Sequence, residues 1–180
     1  MDTTLQLIDQ AIYTRPNFPK KGILFYDISS LTANAKAFAA TIDLLAEYAR
    51  SRNATAIGGI DARGFIFGSA IAYKLGLPLY LLRKPGKLAR ESYQENYTLE
   101  YGTDGICLPQ DDAKKGDRVV VVDDLIATGG TLQAACRLFE ANGAQVSGLA
   151  AVIGLPYAGY EQKLKGHDIH CLLTYEAPNL

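Results

Sequence analysis

The chemistry of this chain is concentrated in one string. Residues 119–131, VVVVDDLIATGGT, run from four valines through two adjacent carboxylates into a turn of small residues. The turn Ala127-Thr128-Gly129-Gly130-Thr131 enters a predicted helix, so its backbone N–H groups stand where orphan donors and the helix dipole both favour a phosphate. Glycines allow close approach, and the threonine hydroxyls add donors. Asp123 and Asp124 beside that cradle would repel a phosphate unless they accept hydrogen bonds from sugar hydroxyls or face a metal ion. The combination implies a ribose 5-phosphate site. The turn alone also fits a plain strand, acidic turn and helix with glycine serving geometry; the full string is more specific. Neither G-x-x-x-x-G-K-[ST] nor G-x-G-x-x-G occurs, which disfavours a P-loop triphosphatase and a dinucleotide enzyme.

Three further groups of residues could do chemistry. Arg63, in Asp61-Ala62-Arg63-Gly64, precedes a predicted helix, where a cation opposes the dipole; that argues for an anionic ligand over a plain surface arginine. Arg83, Lys84 and Lys87 form either a solvated basic turn or a cationic cluster able to stabilise a departing polyanion. His167 and His170 lie near a predicted edge strand without carboxylate partners, as surface or structural histidines do.

Elements that position these groups follow from periodicity. Leu5, Ile8, Ala11 and Ile12 mark a first helix, followed by the Pro-rich turn 15–22 and a short strand at 23–25. Asn34 caps a helix whose Phe38, Ile42, Leu45 and Ala49 form one apolar stripe. Strands at 55–60, 79–83, 119–122 and 146–153 alternate with helices at 65–75, stopped by Gly76, and 131–141, stopped by Asn142-Gly143. That alternation predicts an α/β protein with a parallel sheet covered on both faces. Residues 84–105 break the pattern, dense in charge and tyrosine, and read as a long lid-like loop. Gly64-x-x-x-Gly68 reads as a tight packing face on its helix.

With 180 residues, 48% of them hydrophobic, the chain is expected to form one domain with a real core. Its 18 basic and 19 acidic residues leave a charge of −1, which gives no general attraction for nucleic acid or an anionic membrane, so bound anions must be held locally. No run is long enough to span a membrane and the first residues lack signal-peptide order, so a cytoplasmic location is expected. Cys107, Cys136 and Cys171 are odd in number without close spacing, and buried free thiols are expected.

The string 119–131 resembles the signature of the type I phosphoribosyltransferases, and the likeness extends to the adenine-using branch of that family. FPKKGILFYDIS at 18–29, GGIDARGFIFG at 58–68, LLRKPGKLARE at 81–91 and YTLEYGTD at 97–104 follow in order. The resemblance implies a central parallel sheet flanked by helices, a small N-terminal hood (about 1–34) over the base, a flexible lid (about 84–107) and a homodimer. The implied reaction joins adenine to phosphoribosyl pyrophosphate with Mg²⁺, giving AMP and pyrophosphate in purine salvage.

By the same resemblance, Ala127, Thr128, Gly129, Gly130 and Thr131 hold the 5′-phosphate, and Asp123 and Asp124 the ribose hydroxyls. Asp61, Ala62, Arg63, Arg83, Lys84 and Lys87 meet pyrophosphate, with a cis peptide between Asp61 and Ala62 and Arg83 directed to the partner subunit's site. Phe25, which as a lone aromatic also reads as core, and Leu125 sandwich adenine, while backbone groups of Leu24 and Tyr26 read its edge. Glu100, otherwise a solvated lid carboxylate, is the implied acid/base alongside Arg63 as catalytic residues. No protein metal site is implied, since Mg²⁺ enters through the substrate. The chain departs from the family at Tyr26, for a frequent arginine, and at Lys21 and Ala89, for frequent prolines.

Overall fold

The computed structural model describes residues 2–99 and 102–177. Its centre is β7 (Arg118–Ile126), whose alternating valines serve two cores. Val120 and Val122 point into one cluster with Ile8, Leu45, Phe67 and Ile71; Val119 and Val121 point into another with Leu132, Leu138 and Phe139. Period-two burial on both faces is what a strand in a doubly covered parallel sheet requires. On one side β7 pairs with β3 (Ala56–Ile60), itself paired with β4 (Leu79–Leu82). On the other it pairs with β8 (Gln145–Gly154), which pairs with β9 (Ile169–Thr174). All four pairings are parallel, so the order is β4-β3-β7-β8-β9.

Helices α1 (Thr3–Gln10), α3 (Ala35–Ser51) and α4 (Gly64–Leu75) cover the first face. The expected Asn34 cap is present, its side chain accepting from Ala37 N at 3.1 Å, and Gly76 ends α4 in the left-handed region at φ 66°. Helices α5 (Gly130–Ala141) and α6 (Tyr160–Lys163) cover the second. The helix after β3 and the helix after β7 therefore lie on opposite faces, and these neighbouring strands form the switch point of the sheet, where a crevice opens at the carboxyl ends.

Two antiparallel ribbons flank this frame. β1 (Tyr13–Pro16) pairs with β2 (Leu24–Asp27) across the Pro-rich turn, and α2 (Ile28–Ala33), unforeseen in the sequence, follows with Asp27 as its cap. The second ribbon corrects the reading of 84–105 as a long loop: β5 (Ser92–Leu99) pairs with β6 (Gly102–Pro109). Its alternation is masked because β5 carries polar and charged residues, while the apolar partners Ile106 and Leu108, buried in the second core, sit on β6. The three cysteines are free, and no helix among the described residues is long and apolar enough to cross a membrane.

Candidate active site

A cleft of about 270 Å³ lies at the switch point, where the chain leaves β3, β4 and β7. Ala127–Thr131 line it, together with Asp123, Asp124 and Leu125 at the end of β7 and with Asp61, Ala62, Arg63 and Lys84. The topology thus brings together residues up to 70 positions apart, as the sequence motifs required.

Gly129 caps α5 at φ 75°, and α5 opens with neither a side-chain cap nor an acidic residue in its first turn. The helix N-terminus is left with positive potential and no carboxylate competitor, which suits a phosphate. An added Cβ on Gly129 would also stand 3.1 Å from Leu164 Cγ and 3.2 Å from Tyr160 Cβ, so the loop is seated tightly from behind.

The carboxylate pair is held on the ladder: β7 continues through Asp123 and Asp124, later than the 119–122 expected, because β8 pairs with it as far as Ile126. Asp123 Oδ1 accepts from Asp124 N at 2.9 Å. Asp124 is 2% exposed, and its Oδ2 has no hydrogen-bond donor although Arg63 Nε stands 3.1 Å away; the guanidinium supplies charge without a directed bond. Removal from water pushes both carboxyls above the ordinary carboxylate range; the charge of Asp124 adds to this at Asp123, while Arg63 opposes it at Asp124. A buried acceptor lacking a donor is a natural partner for a ligand hydroxyl.

Arg63 is placed by the close approach of α4 to β7. A Cβ on Gly64 would stand 2.6 Å from Val122 O, and one on Gly68 3.4 Å from Gly59 Cα, so the G-x-x-x-G face packs helix on sheet as the sequence suggested. The Asp61–Ala62 peptide is cis. Arg83 Nε bonds Asp61 Oδ2 at 3.2 Å and its Nη1 donates to Lys87 O, so Arg83 and Lys87 lie outside the cleft. Lys84 reaches into it and bonds Asp104, which also accepts from Tyr97 Oη at 3.3 Å. That bond raises the Lys84 ammonium and holds Asp104 below the usual carboxylate range. Tyr97 and Asp104 line the cleft without having been singled out as site residues; their signal was their place in the charge-dense motif at 97–104. The two cations of the cleft, Arg63 and Lys84, each face a carboxylate, an arrangement from which an incoming phosphate can take over a charged partner.

Leu24, Phe25 and Tyr26 do not line this cleft, whereas Leu125 does. Phe25 meets Phe18 edge-on at 5.2 Å, and the ring of Tyr26 is buried on the other side of β2. The strand nevertheless ends close by: Asp27 is lowered by its bonds with Ser29 and, to a smaller extent, by the charge of Arg63. Glu100 lies outside the described residues. His170 stacks on Tyr48 at 4.5 Å, away from the cleft, in keeping with a structural role.

Comparison with known proteins places these motifs in context. Residues 27–173 match the phosphoribosyl transferase domain. Adenine phosphoribosyltransferase of Aeromonas salmonicida is 51% identical over 173 residues, covering 96% of each chain. The crystal structure of adenine phosphoribosyltransferase from Thermoanaerobacter pseudethanolicus superposes with a TM-score of 0.91 at 42% identity, covering 95% of this chain and 99% of that one. The Saccharomyces cerevisiae enzyme, complexed with adenine and an imino-altritol bisphosphate, gives 0.91 at 32% identity, covering 96% of this chain and all of that one.

Proposed function

The chain belongs to the phosphoribosyltransferase family, and from that premise we infer that it transfers the 5-phosphoribosyl group of phosphoribosyl pyrophosphate to adenine, giving AMP and pyrophosphate in purine salvage. The observation that carries the reading is the convergence, in one cleft, of an uncapped helix N-terminus, two adjacent carboxylates and the cations Arg63 and Lys84.

In this reading Ala127–Thr131 bind the 5′-phosphate through backbone N–H groups and the threonine hydroxyls. Asp123 and Asp124 accept from the ribose hydroxyls, and the donorless Oδ2 of Asp124 supports that role. Arg63 and Lys84, with the Asp61–Ala62 peptide, face the pyrophosphate. As the bond to C1 lengthens, the sugar gains oxocarbenium character and negative charge grows on the leaving group, where fixed cations lower the barrier. Leu125 covers one face of adenine, and Phe25, on the strand that ends near Arg63, covers the other. Backbone groups of Leu24 and Tyr26 read the base edge. N9 attacks C1 opposite the departing pyrophosphate, and Glu100 takes the proton that the base loses.

Mg²⁺ fits this site as a companion of the substrate: the aspartate pair, with the donorless Oδ2 of Asp124, can meet the cation's waters or the sugar it accompanies. Bound there, it would neutralise charge on the pyrophosphate. We propose further that the working unit is a cytoplasmic homodimer; the position of Arg83 and Lys87 outside this chain's cleft supports a role toward the partner's.

The test is pyrophosphate release with each nucleobase, with and without Mg²⁺. Adenine should exceed hypoxanthine by at least about 10²-fold in kcat/KM, because a C6 amino group and a C6 oxo group demand opposite partners. Comparable rates with both bases would overturn the adenine assignment.

A further inference from the structure

Tyr175 lies beyond β9 and takes no part in the cleft, yet it joins three parts of the molecule. Its backbone N–H donates to Gly154 O at 3.1 Å, at the end of β8, and the next residue, Leu155, donates to Ile126 O at 2.9 Å, immediately before the phosphate loop. Its ring stacks on Tyr26 with centroids 4.7 Å apart and planes 18° from parallel. Its hydroxyl donates to Asp9 Oδ1 at 2.5 Å, on α1.

Tyr26 is 4% exposed and belongs to the first core cluster, so its ring is the point where β2 is pinned to the body of the protein. Alternation along β2 sends Leu24 and Tyr26 to one side, where with Tyr175 and Asp9 they line a groove separate from the cleft. Phe25 is sent to the other side. Where the Tyr26 ring settles therefore fixes the height and tilt at which Phe25 and the backbone of residues 24 and 26 are presented.

We propose that Tyr175 is a positioning residue for the nucleobase: by stacking on Tyr26 from a backbone anchored to β8, it sets the distance between the base-covering strand β2 and the phosphate loop. The proposal rests on the reading of Phe25 as one face of the base slot. It also gives Tyr26 a task that an arginine at that position would perform differently. A neutral ring here contributes through its face, and the base is left to backbone groups.

The experiment compares Tyr175→Leu and Tyr175→Phe with Phe25→Ala, measuring KM for adenine at saturating phosphoribosyl pyrophosphate, KM for phosphoribosyl pyrophosphate at saturating adenine, kcat and Tm. Tyr175→Leu is expected to raise the adenine KM about five- to tenfold, with kcat and the other KM within about twofold. Tyr175→Phe, which keeps the ring face, should restore most of the adenine affinity. Should the leucine variant not fold, Tyr175→Met fills the same space without a ring and carries the same expectation. An unchanged adenine KM in the ringless variant, beside a raised one in Phe25→Ala, overturns the positioning role alone. An unchanged KM in Phe25→Ala overturns the base slot and the positioning role with it. Parallel loss of both substrates and kcat reduces Tyr175 to a structural residue and also overturns the proposal.

Discussion

At the carboxyl edge of the parallel sheet, β3 and β7 are paired on both sides and covered above and below by helices. The two antiparallel ribbons are held otherwise. β1–β2 bonds within itself and is pinned by the Tyr26–Tyr175 stack, while β5–β6 meets the sheet through a bridge between Arg83 and Cys107 and through Ile106 and Leu108 beneath α5. A two-stranded ribbon is marginal without such support. On the proposed function the difference separates two tasks: the over-determined edge would fix where phosphate, ribose and pyrophosphate sit, and the ribbons would bring groups to the base. Substitutions on the ribbons should therefore alter turnover or base binding while leaving phosphoribosyl binding in place, and those at the edge should do the reverse.

The largest expected effect tests the ribbon side. Glu100 lies between β5 and β6 in sequence, and the proposed function gives it, from its motif position, the role of proton acceptor. Glu100→Gln keeps the shape but removes the basic carboxylate, so kcat should fall about 10²–10⁴-fold with phosphoribosyl pyrophosphate affinity nearly unchanged. Steady-state kinetics decide this; turnover within a few-fold of the parent would leave Glu100 a solvent-facing carboxylate.

A smaller effect tests the edge. Gly129→Val puts a β-branched residue at φ 75° with its Cβ crowded against Leu164 and Tyr160, so the loop must move. Affinity for phosphoribosyl pyrophosphate should drop by about 10²-fold in a protein that remains folded. Calorimetry giving the parent affinity would remove Ala127–Thr131 from phosphate binding.

The same division explains what could be read from the sequence. The Asn34 cap and the Gly76 stop are local: each depends on residues adjacent in the chain and stands where the sequence put it, whereas β7 runs past the expected 119–122 to Ile126 because β8 pairs with it. Convergence of Asp61, Arg63 and Lys84 on the loop after β7 followed from motif resemblance and from the rule that ligands gather at the carboxyl edge. The ribbon β5–β6 was missed because its apolar face comes from Ile106 and Leu108, across from charged partners such as Glu95. The burial of Tyr26 and the turn of Arg83 toward Asp61 were equally hidden, since both depend on contacts between distant segments.

The smallest expected effect concerns the strain that the edge accepts for function. Asp123 is raised well above its ordinary 3.8, first by loss of water and then by the neighbouring charge of Asp124. Below the unfolded value both states are protonated and the group costs nothing. As pH rises, the unfolded chain ionises first, and folded stability declines through the window between the unfolded and the raised folded value. Asn at 123 removes the charge while keeping an oxygen to accept from Asp124 N. Asp123→Asn should therefore melt higher than the parent at pH 7.5, with the gap closing as pH falls toward the unfolded value. Its affinity for phosphoribosyl pyrophosphate should fall, because an amide is a weaker acceptor for ribose hydroxyls. Melting curves across this pH range check the sign. A variant that melts lower at pH 7.5 would mean that the carboxylate is stabilised where it stands, and that the edge holds its charge without cost.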